Sequence, residues 1–357
     1  MRSRIPKPLH RLCGRAMVLH VIDALAELSV DRVVVVVGPG AAEVEKVIRS
    51  GAPDGLELEF VEQPDPRGTG DAVAVALTGF PAGYDTDSDD SDLMVLPGDT
   101  PLVRPATLAA LVRVHRSSGA AVTLLSAHLD DPHGFSRLVR AKDGRPSRIV
   151  DEDVATEDER GIGEVATTIY CFRHGLLAPA LRRLSPDNHL GEYYLTDTVG
   201  LLHGAGYGVT ALAVQDPVEA AEVNDRAQLA AAESELRSRI NERWMRRGVT
   251  MWDPEQTYID SGVSLEPDVT LLPGVVLEGG TTVGEGAVIG PACQLIDCVV
   301  GAGARISHTV GVNSVVGENC SVGPFAFLEP GTRLARSQRL APFFAGGIAE
   351  PDRSDPH

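Results

Sequence analysis

The most regular pattern of hydrophobic and polar positions lies in residues 269–330, where an apolar residue recurs about every sixth position. Eleven residues mark the run: Val269, Val275, Val283, Ile289, Leu295, Val300, Ile306, Val312, Val316, Val322 and Leu328. This spacing matches neither the period of a β-strand nor that of an α-helix. A parallel β-helix of hexapeptide repeats fits it, because each segment forms one flat side of a coil and points its apolar residue inward. Glycine directly after five of these residues suits the corners of such a coil.

The front of the chain shows apolar β-branched runs that alternate with helical patterns. The predicted strands are 33–37, 93–96 and 121–125, and the predicted helices are 17–28, 41–48, 71–77 and 105–115. This alternation predicts an α/β domain with a doubly wound, Rossmann-like parallel sheet. Ligands of such sheets bind at the carboxyl ends of the strands.

The boundaries follow from these two patterns. A helix over 225–247, with apolar residues at helical spacing and Gly248 as its end, links them. We therefore predict an α/β domain over 1–226, a linker helix over 227–248, a left-handed β-helix over 249–335 and a loose tail over 336–357. An acidic surface loop is expected at Pro81–Asp92.

The first ten residues contain no strand and no glycine-rich loop. A doubly wound nucleotide-binding domain normally begins with both, and the amide groups of that loop hold phosphate. Without the first strand, its neighbours would leave backbone groups unpaired, at about 1–3 kcal/mol for each buried group. We therefore expect the chain as written to have low stability, and either its natural start lies upstream or the chain is a truncated relic. The nucleotide sequence upstream of Met1 in frame would test this.

The composition limits the classes of molecule that the protein is expected to bind. The net charge of −18 argues against nucleic acid and against an anionic membrane, and it implies that a polyanionic substrate needs a divalent cation and local positive charge. The five cysteines form no C-x-x-C motif, and no apolar run reaches membrane-spanning length. These features predict a cytoplasmic protein in a reducing compartment.

An ordered set of motifs then identifies a family. The motifs are Pro6-Lys7-Pro8-Leu9-His10, Gly14-Arg15-Ala16-Met17, His20-Val21-Ile22-Asp23, Gln63, Gly68-Thr69-Gly70, Gly98-Asp99-Thr100-Pro101-Leu102, Asp130-Asp131-Pro132-His133-Gly134-Phe135, Gly191-Glu192-Tyr193-Tyr194-Leu195-Thr196-Asp197 and Glu222-Val223-Asn224-Asp225-Arg226. Their order, followed by a hexapeptide solenoid, resembles the bifunctional N-acetylglucosamine-1-phosphate uridyltransferase / glucosamine-1-phosphate acetyltransferase family. The resemblance implies transfer of a uridylyl group from UTP to a sugar 1-phosphate with Mg²⁺, in a homotrimer. This reaction needs two polyanions held in line and no enzyme nucleophile.

The resemblance also implies roles for single residues at the nucleotide end. Asp99, after a predicted strand, and Asn224 are the implied metal ligands, whereas a lone Gly-Asp pair would indicate a simple turn. Lys7, held between two prolines, is the implied phosphate contact and, with Asp99, a catalytic residue. The implied nucleotide-binding residues are Lys7, Gln63, Gly68, Thr69 and Gly98.

The sugar end departs from the family pattern. The implied sugar-binding residues are Gly134, Ser136, Asp151 and Thr167. Ser136 stands where the family has a glycine, Asp151 where it has a glutamate, and Ala166 where it has an asparagine. Loss of hydrogen bonds to a bound sugar weakens its recognition. The sugar side is therefore less well supported than the nucleotide side.

The part of the chain that corresponds to the family's acetyltransferase half departs further from the family pattern than the sugar end does. About four coils are predicted, Glu329 replaces a family arginine, and His308 lies outside any acetyl-transfer motif. We expect no acetyltransferase activity. Three hypotheses stay open: a uridyltransferase for N-acetylglucosamine 1-phosphate, a nucleotidyltransferase for another sugar or nucleotide, and a non-catalytic regulatory or scaffold relic.

Overall fold

A computed structural model of the chain describes residues 1–80, 91–188 and 190–346. The chain divides into two compact units. The first comprises Met1–His10 and Ala16–Asp225, and the second comprises Arg11–Arg15 together with the chain from Arg226 onward. Most of the predicted loop at Pro81–Asp92 lies outside the described residues.

Helices and strands alternate from residue 17 to residue 128, as the sequence predicts, and two further strands then follow without a helix between them. The strands are β1 (Arg11–Leu12), β2 (Arg15–Ala16), β3 (Val33–Val37), β4 (Leu58–Glu62), β5 (Asp92–Val95), β6 (Val122–His128), β7 (Arg137–Arg140), β8 (Pro146–Val150), β9 (Glu164–Arg173) and β10 (Val209–Ala213). The helices are α1 (Met17–Ala26), α2 (Ala42–Gly51), α3 (Thr69–Ala76), α4 (Pro105–Ser118), α5 (Glu157–Arg160), α6 (His174–Leu181), α7 (Asp197–Gly204) and α8 (Arg226–Arg246). Short 3₁₀ helices cover Lys7–Leu9, Leu77–Gly79, Pro217–Ala220 and Pro254–Gln256.

The larger sheet of the first unit is mixed. Its strand order is β10-β6-β9-β7-β8, and β5 also pairs with β9. Strand β10 is parallel to β6, whereas β9 runs antiparallel to β5, β6 and β7. Residues on both faces of β6 and β9 are buried, which suits the apolar residues that make up more than half of these strands. The predicted α/β class is confirmed, with antiparallel pairs added to the sheet.

Strands β3 and β4 form a separate parallel pair, with Val33 opposite Leu58. Among the described strands, neither is hydrogen-bonded to the larger sheet. The sequence predicted a fully buried strand here, but Val33–Val36 are partly exposed and Val37 alone is buried. An unpaired strand edge leaves one side of the backbone and part of the side chains uncovered, which accounts for the difference.

The second unit carries the parallel β-helix. Its strands are β11 (Thr250–Met251), β12 (Thr257–Ile259), β13 (Ser264–Leu265), β14 (Thr270–Leu271), β15 (Val275–Glu278), β16 (Thr282–Val283), β17 (Val288–Ile289), β18 (Gln294–Ile296), β19 (Val299–Val300), β20 (Arg305–Ile306), β21 (Thr309–Val312), β22 (Val315–Val316), β23 (Ser321–Val322), β24 (Ala326–Leu328), β25 (Arg333–Leu334) and β26 (Ala345–Gly346). They form three parallel sheets, β11-β14-β17-β20-β23, β12-β15-β18-β21-β24-β26 and β13-β16-β19-β22-β25. The predicted solenoid is confirmed, with about five turns instead of four.

Ten of the eleven residues that mark the repeat are buried inside the coil. Val312 is the exception, because Gly311 takes the stacked position between Leu295 and Leu328. A Cβ at Gly311 would lie 3.1 Å from Leu295 Cδ2 and 3.6 Å from Leu328 Cδ1. The two leucines fill the coil axis at this level, so only glycine fits without displacement.

The coil continues beyond residue 336, where the sequence analysis expected a loose tail. Strand β26 pairs with β24, placing Ala345 opposite Phe327. Leu340 is buried in the same core. The apolar residues here are spaced irregularly, which hid this last turn from a search for a strict hexapeptide period. Residues 347–357 lie outside the described part of the chain.

Helix α8 packs one face on the first coil. Ala232, Ile240 and Trp244 are buried along it at helical spacing. The amide nitrogen of Asn241 donates to the carbonyls of Pro254 at 2.8 Å and Thr257 at 2.9 Å. No helix in the described ranges is both long and apolar enough to cross a membrane.

We predict that the inward valine of the coil matters far more for stability than its neighbour. Val300 is 2% exposed and Val299 is 48% exposed. Val300→Ala removes two buried methyl groups and leaves a cavity, which should lower the free energy of unfolding by about 2 kcal/mol. Val299→Ala is the matched control and should change it by less than about 0.5 kcal/mol. Urea unfolding followed by circular dichroism measures both, and equal losses would contradict an axial position for Val300.

Candidate functional site

Three of the predicted residues meet at one end of the first unit. Lys7 lies in a 3₁₀ turn that begins after Pro6, and Asp99 follows β5. The Lys7 ammonium contacts Asp99 Oδ2 and donates to Asn224 Oδ1 at 2.5 Å. The amide N–H of Val223 donates to the Asp99 carbonyl at 3.0 Å, which brings the distant segment around Asn224 to the end of β5.

The ammonium of Lys7 occupies the point at which the oxygens of Asp99 and Asn224 converge. A positive group therefore already fits this position. Across the described residues, no cluster of three or more His, Cys, Asp or Glu side chains is arranged to hold a metal. Mg²⁺ commonly takes one or two protein oxygens and completes its shell with water and phosphate. The pair Asp99 and Asn224 fits a metal shared with a phosphorylated substrate.

Two carboxylate residues lie beyond the predicted set, and one of them, Glu222, extends this group. Glu222 accepts a hydrogen bond from Thr168 Oγ1 at 2.9 Å, and its other oxygen lies 3.5 Å from Asn224 Nδ2. Residues 222 and 224 are two positions apart in a segment that is neither helix nor strand. The position of Glu222 at the start of the Glu222-Val223-Asn224 motif was the signal by which it could have been found. Glu152, the second residue, lies at the sugar end described below.

The Gly68-Thr69-Gly70 segment packs against the chain around Tyr193. Gly70 N–H donates to the Tyr193 carbonyl at 2.8 Å, and Thr69 Oγ1 accepts from Leu195 N–H at 3.0 Å. Gly68 has φ of +106°, and a Cβ there would lie 2.5 Å from the Tyr193 carbonyl oxygen. Glycine is thus required at 68 by the fold itself.

Gln63 lies beside this segment. Its amide nitrogen donates to Asp71 Oδ2 at 2.7 Å and is 3.5 Å from the Gly68 carbonyl. Gly98 is exposed next to Asp99. No hydrogen bond within the described ranges joins the Gln63 and Gly68 group to the Lys7 group.

The predicted sugar-side residues lie on β7, β8 and β9 and in the loops beside them. Ser136 Oγ donates to Asp151 Oδ1 at 2.5 Å, and Ala166 N–H donates to the Ser136 carbonyl at 3.0 Å. Thr167 is turned away: its hydroxyl is buried and donates to the Leu125 carbonyl at 2.8 Å. Thr168 faces Glu222 instead, because successive side chains of a strand alternate between its faces.

Glu152 orders the loop that carries Gly134. Its Oε2 accepts from Gly134 N–H at 2.5 Å, and its Oε1 contacts His133 Nδ1 at 2.8 Å and the buried Arg137 at 3.3 Å. The hydrogen bond and negative charge of Glu152 raise the pKa of His133. Bonds from His133, Gly134 and Arg137 lower the pKa of Glu152. Gly134 has φ of +84°, a conformation that favours glycine.

Acidic groups gather at the predicted sugar end. Burial and the nearby charge of Asp151 raise the pKa of Asp197. Burial, followed by the charges of Asp151 and Glu222, raises the pKa of Tyr170, whose hydroxyl has no hydrogen-bond partner among the described residues. This end can therefore accept hydrogen bonds from hydroxyl groups, whereas the Lys7 end suits phosphate and a cation.

Comparison with known proteins shows the family to which the chain is similar. Residues 1–196 match the model of the MobA-like NTP transferase domain. The chain is 42% identical over 343 residues to the bifunctional protein GlmU of Desulfitobacterium hafniense, covering 96% of this chain and 73% of that protein. It is 42% identical over 346 residues to that of Pelotomaculum thermopropionicum, with 96% and 72% covered. For the protein of Kineococcus radiotolerans the identity is 43% over 343 residues, with 96% and 68% covered.

The His133–Glu152 pair predicts a pH-dependent loop. Because the folded pKa of His133 is raised, the pair stabilises the loop fully below the unfolded pKa of histidine and loses that effect as pH rises through the folded value. Glu152→Gln should lower the pKa of His133 toward the ordinary value near 6.5. NMR titration of the His133 ring measures it.

Glu157→Gln serves as the control, since Glu157 is exposed on α5 and the structure shows no contact with His133 among the described residues. That variant should leave the His133 titration unchanged. An unchanged midpoint in Glu152→Gln would contradict the pairing.

Proposed function

The chain belongs to the GlmU family, and on that premise we propose that it transfers a uridylyl group from UTP to N-acetylglucosamine 1-phosphate with Mg²⁺. The products are UDP-N-acetylglucosamine, a precursor for cell-wall peptidoglycan synthesis, and pyrophosphate. It is a nucleotidyltransferase of UDP-N-acetylglucosamine synthesis. The observation that carries the proposal is the convergence of Lys7, Asp99 and Asn224 at the end of β5.

The reaction requires charge neutralisation and alignment. An oxygen of the sugar phosphate attacks the α-phosphorus of UTP, and the bond from that phosphorus to the oxygen bridging to the β-phosphate breaks. Asp99 and Asn224 would hold Mg²⁺, which neutralises phosphate charge when bound. Lys7 then leaves its contact with Asp99 and pairs with the phosphates. The chain supplies positioning and electrostatics, and no covalent intermediate is needed.

The uridine is proposed to lie along Gln63, Gly68, Thr69 and Gly98. The side-chain nitrogen of Gln63 is engaged by Asp71, which orients its carbonyl oxygen as an acceptor toward the base. The glycines at 68 and 98 leave the backbone accessible to a flat ring.

The sugar is proposed to contact Gly134, Ser136 and Asp151. Thr167 supports this site through its bond to the Leu125 carbonyl, and Thr168 lies on the substrate side with Glu222. The Ser136–Asp151 hydrogen bond occupies one carboxylate oxygen and leaves the other for a sugar hydroxyl. This altered arrangement supports a second candidate, a nucleotidyltransferase for another sugar 1-phosphate.

Acetyltransferase activity is proposed to be absent. Glu329 places negative charge where the resemblance expects a phosphate-binding arginine. His308 packs on Phe325 with ring centroids 5.1 Å apart. The protein is proposed to act in the cytoplasm.

We predict that Asp99→Ala lowers the rate of Mg²⁺-dependent pyrophosphate release by about 100-fold or more, because a charged oxygen that holds the metal is lost. Pyrophosphate is measured with UTP and N-acetylglucosamine 1-phosphate, and circular dichroism checks the fold. Asp54→Ala, an exposed aspartate after α2, is the control and should retain full activity.

Full pyrophosphate release by Asp99→Ala would contradict the proposed metal site. Faster release with glucose 1-phosphate would favour the second candidate. Acetyl-CoA and glucosamine 1-phosphate should give no acetylated product with any of these proteins.

We further predict a homotrimer formed through residues 263–330. The outward side chains on one face of the coil form a register ladder, which is mostly apolar: Tyr258, Val276, Gln294, Val310, Phe327 and Ala345. Tyr258 is 43% exposed and Phe327 is 42% exposed in the single chain. Association that covers this ladder gains about 25 cal/mol per Å² of apolar surface.

Light scattering at micromolar concentration should give three times the mass of one chain. Val310→Glu with Phe327→Glu should reduce that mass to one chain, whereas Val299→Glu on another face should not. A monomeric mass for the unaltered protein would refute the assembly.

A further inference from the structure

The last turns of α8 form a concave, arginine-lined surface far along the chain from the proposed catalytic residues. A cavity of about 350 Å³ is lined by Arg239, Glu242, Arg243, Arg246 and Arg247. We propose that this cavity binds an oligophosphate group, such as pyrophosphate or the phosphate chain of a nucleotide. We name it the arginine cavity, and it does not depend on the proposed uridylyl transfer.

Two of the four arginines carry uncompensated charge. Arg246 pairs with Glu242 at 2.7 Å, and Arg239 pairs with Glu235 at 2.7 Å. Neither Arg243 nor Arg247 forms an ion pair within the part of the chain that the structure describes. The chain carries a net charge of −18, whereas these two adjacent unpaired guanidinium groups give α8 a local positive charge. A ligand with at least two negative charges matches them.

The ring of Trp244 holds these two guanidinium groups in place. Arg243 lies 5.3 Å and Arg247 lies 5.4 Å from the ring centroid, within the range of a cation–π contact. Trp244 is buried in the core, so the platform itself is rigid. Arginines ordered in advance lose less conformational entropy when they bind a ligand. Their planar forks suit phosphate oxygens.

Stability of the helix does not explain the arrangement. Arginine near a helix C-terminus interacts favourably with the helix dipole, which accounts for Arg243 and Arg246. However, Arg239, Arg243 and Arg247 follow each other at a spacing of four residues, where like charges repel. Partial desolvation and the charge of Arg247 lower the pKa of Arg243, as expected for crowded cations. An anion in the cavity would relieve this repulsion.

Fluorescence can report this binding without interference from the proposed catalytic residues. The chain has two tryptophans, Trp244 and Trp252, and Trp252 is 72% exposed. In a Trp252→Phe background, the emission of Trp244 reports events at the arginine cavity. Pyrophosphate is titrated with EDTA present, at about 0.15 M salt, where charges beyond about 8 Å are screened. We expect saturable quenching, at least tenfold weaker with inorganic phosphate or sulfate.

Matched charge variants test the assignment. Arg243→Gln with Arg247→Gln should weaken pyrophosphate binding at least tenfold. Arg305→Gln with Arg333→Gln removes the same charge from exposed positions on β20 and β25 and should change binding less than twofold. Arg243→Lys with Arg247→Lys keeps the charge, loses the forks and should weaken binding to an intermediate degree. This variant also keeps the test valid if the glutamine pair impairs folding.

The outcomes are distinct. Tighter binding of UDP or ADP than of pyrophosphate would support the cavity and identify a nucleotide as the source of the phosphates. Tighter binding of pyrophosphate would support a free oligophosphate. Equal weakening by both glutamine pairs, or equal affinity for sulfate and pyrophosphate, would overturn the proposal.

Discussion

Backbone pairing of β9 with three other strands is the interaction on which the first unit depends. Its residues lie opposite β5 at Leu93–Phe172, opposite β6 at Val122–Phe172 and opposite β7 at Arg137–Val165. Seven of the ten residues of β9 are buried and the other three are partly buried, so its hydrogen bonds are shielded from water. Because of these pairings, the ends of β5, β7 and β9 are fixed relative to one another. Of the residues proposed to bind the metal and the sugar, Asp99 follows β5 and Ser136 directly precedes β7.

Neighbouring cationic side chains neutralise individual carboxylates of this acidic chain. Lys7 lies between Asp99 and Asn224, and Arg140 pairs with the buried Glu164 at 2.7 Å. Burial is the largest single effect on the Glu164 carboxyl and raises its pKa, but the hydrogen bonds from Arg140 and Ser126 and the charge of Arg140 together hold the pKa below its usual value. A carboxylate buried without such partners would cost several kcal/mol. The proposed site therefore combines paired charges that hold its framework with a lysine that can change partners.

In the β-helix, the position of a residue within the repeat decides whether it contributes to the core. One inward side chain from each short strand fills the axis, and parallel ladders satisfy the backbone. Thr281, buried at a corner, donates to the Glu278 carbonyl at 2.7 Å and accepts from Cys298 N–H at 3.2 Å. The outward side chains do not pack in the core of the coil. They are free to carry the apolar ladder, and α8 likewise carries the arginine cavity beside its buried Trp244.

The sequence by itself determined the class of each unit and most of the repeat. The hexapeptide period predicted the coil because each turn repeats the same local burial, and the strand and helix bounds near Val33–Val37 and Pro105–Ser118 followed from local patterns. The ordered motifs indicated the family and selected Lys7, Asp99 and Asn224. Their roles remain proposals, although the structure brings the three together.

Tertiary structure decided what depends on distant neighbours. The glycine in place of Val312 follows from the space that Leu295 and Leu328 occupy, which no local period encodes. The inward turn of Thr167 follows from its strand's register on β6, and Glu152 gained its partners only when β7 and β8 paired. The local spacing of apolar residues predicts which side chains are buried. Contacts between distant segments decide which atoms meet, because side-chain packing and hydrogen bonding are set by the assembled neighbours.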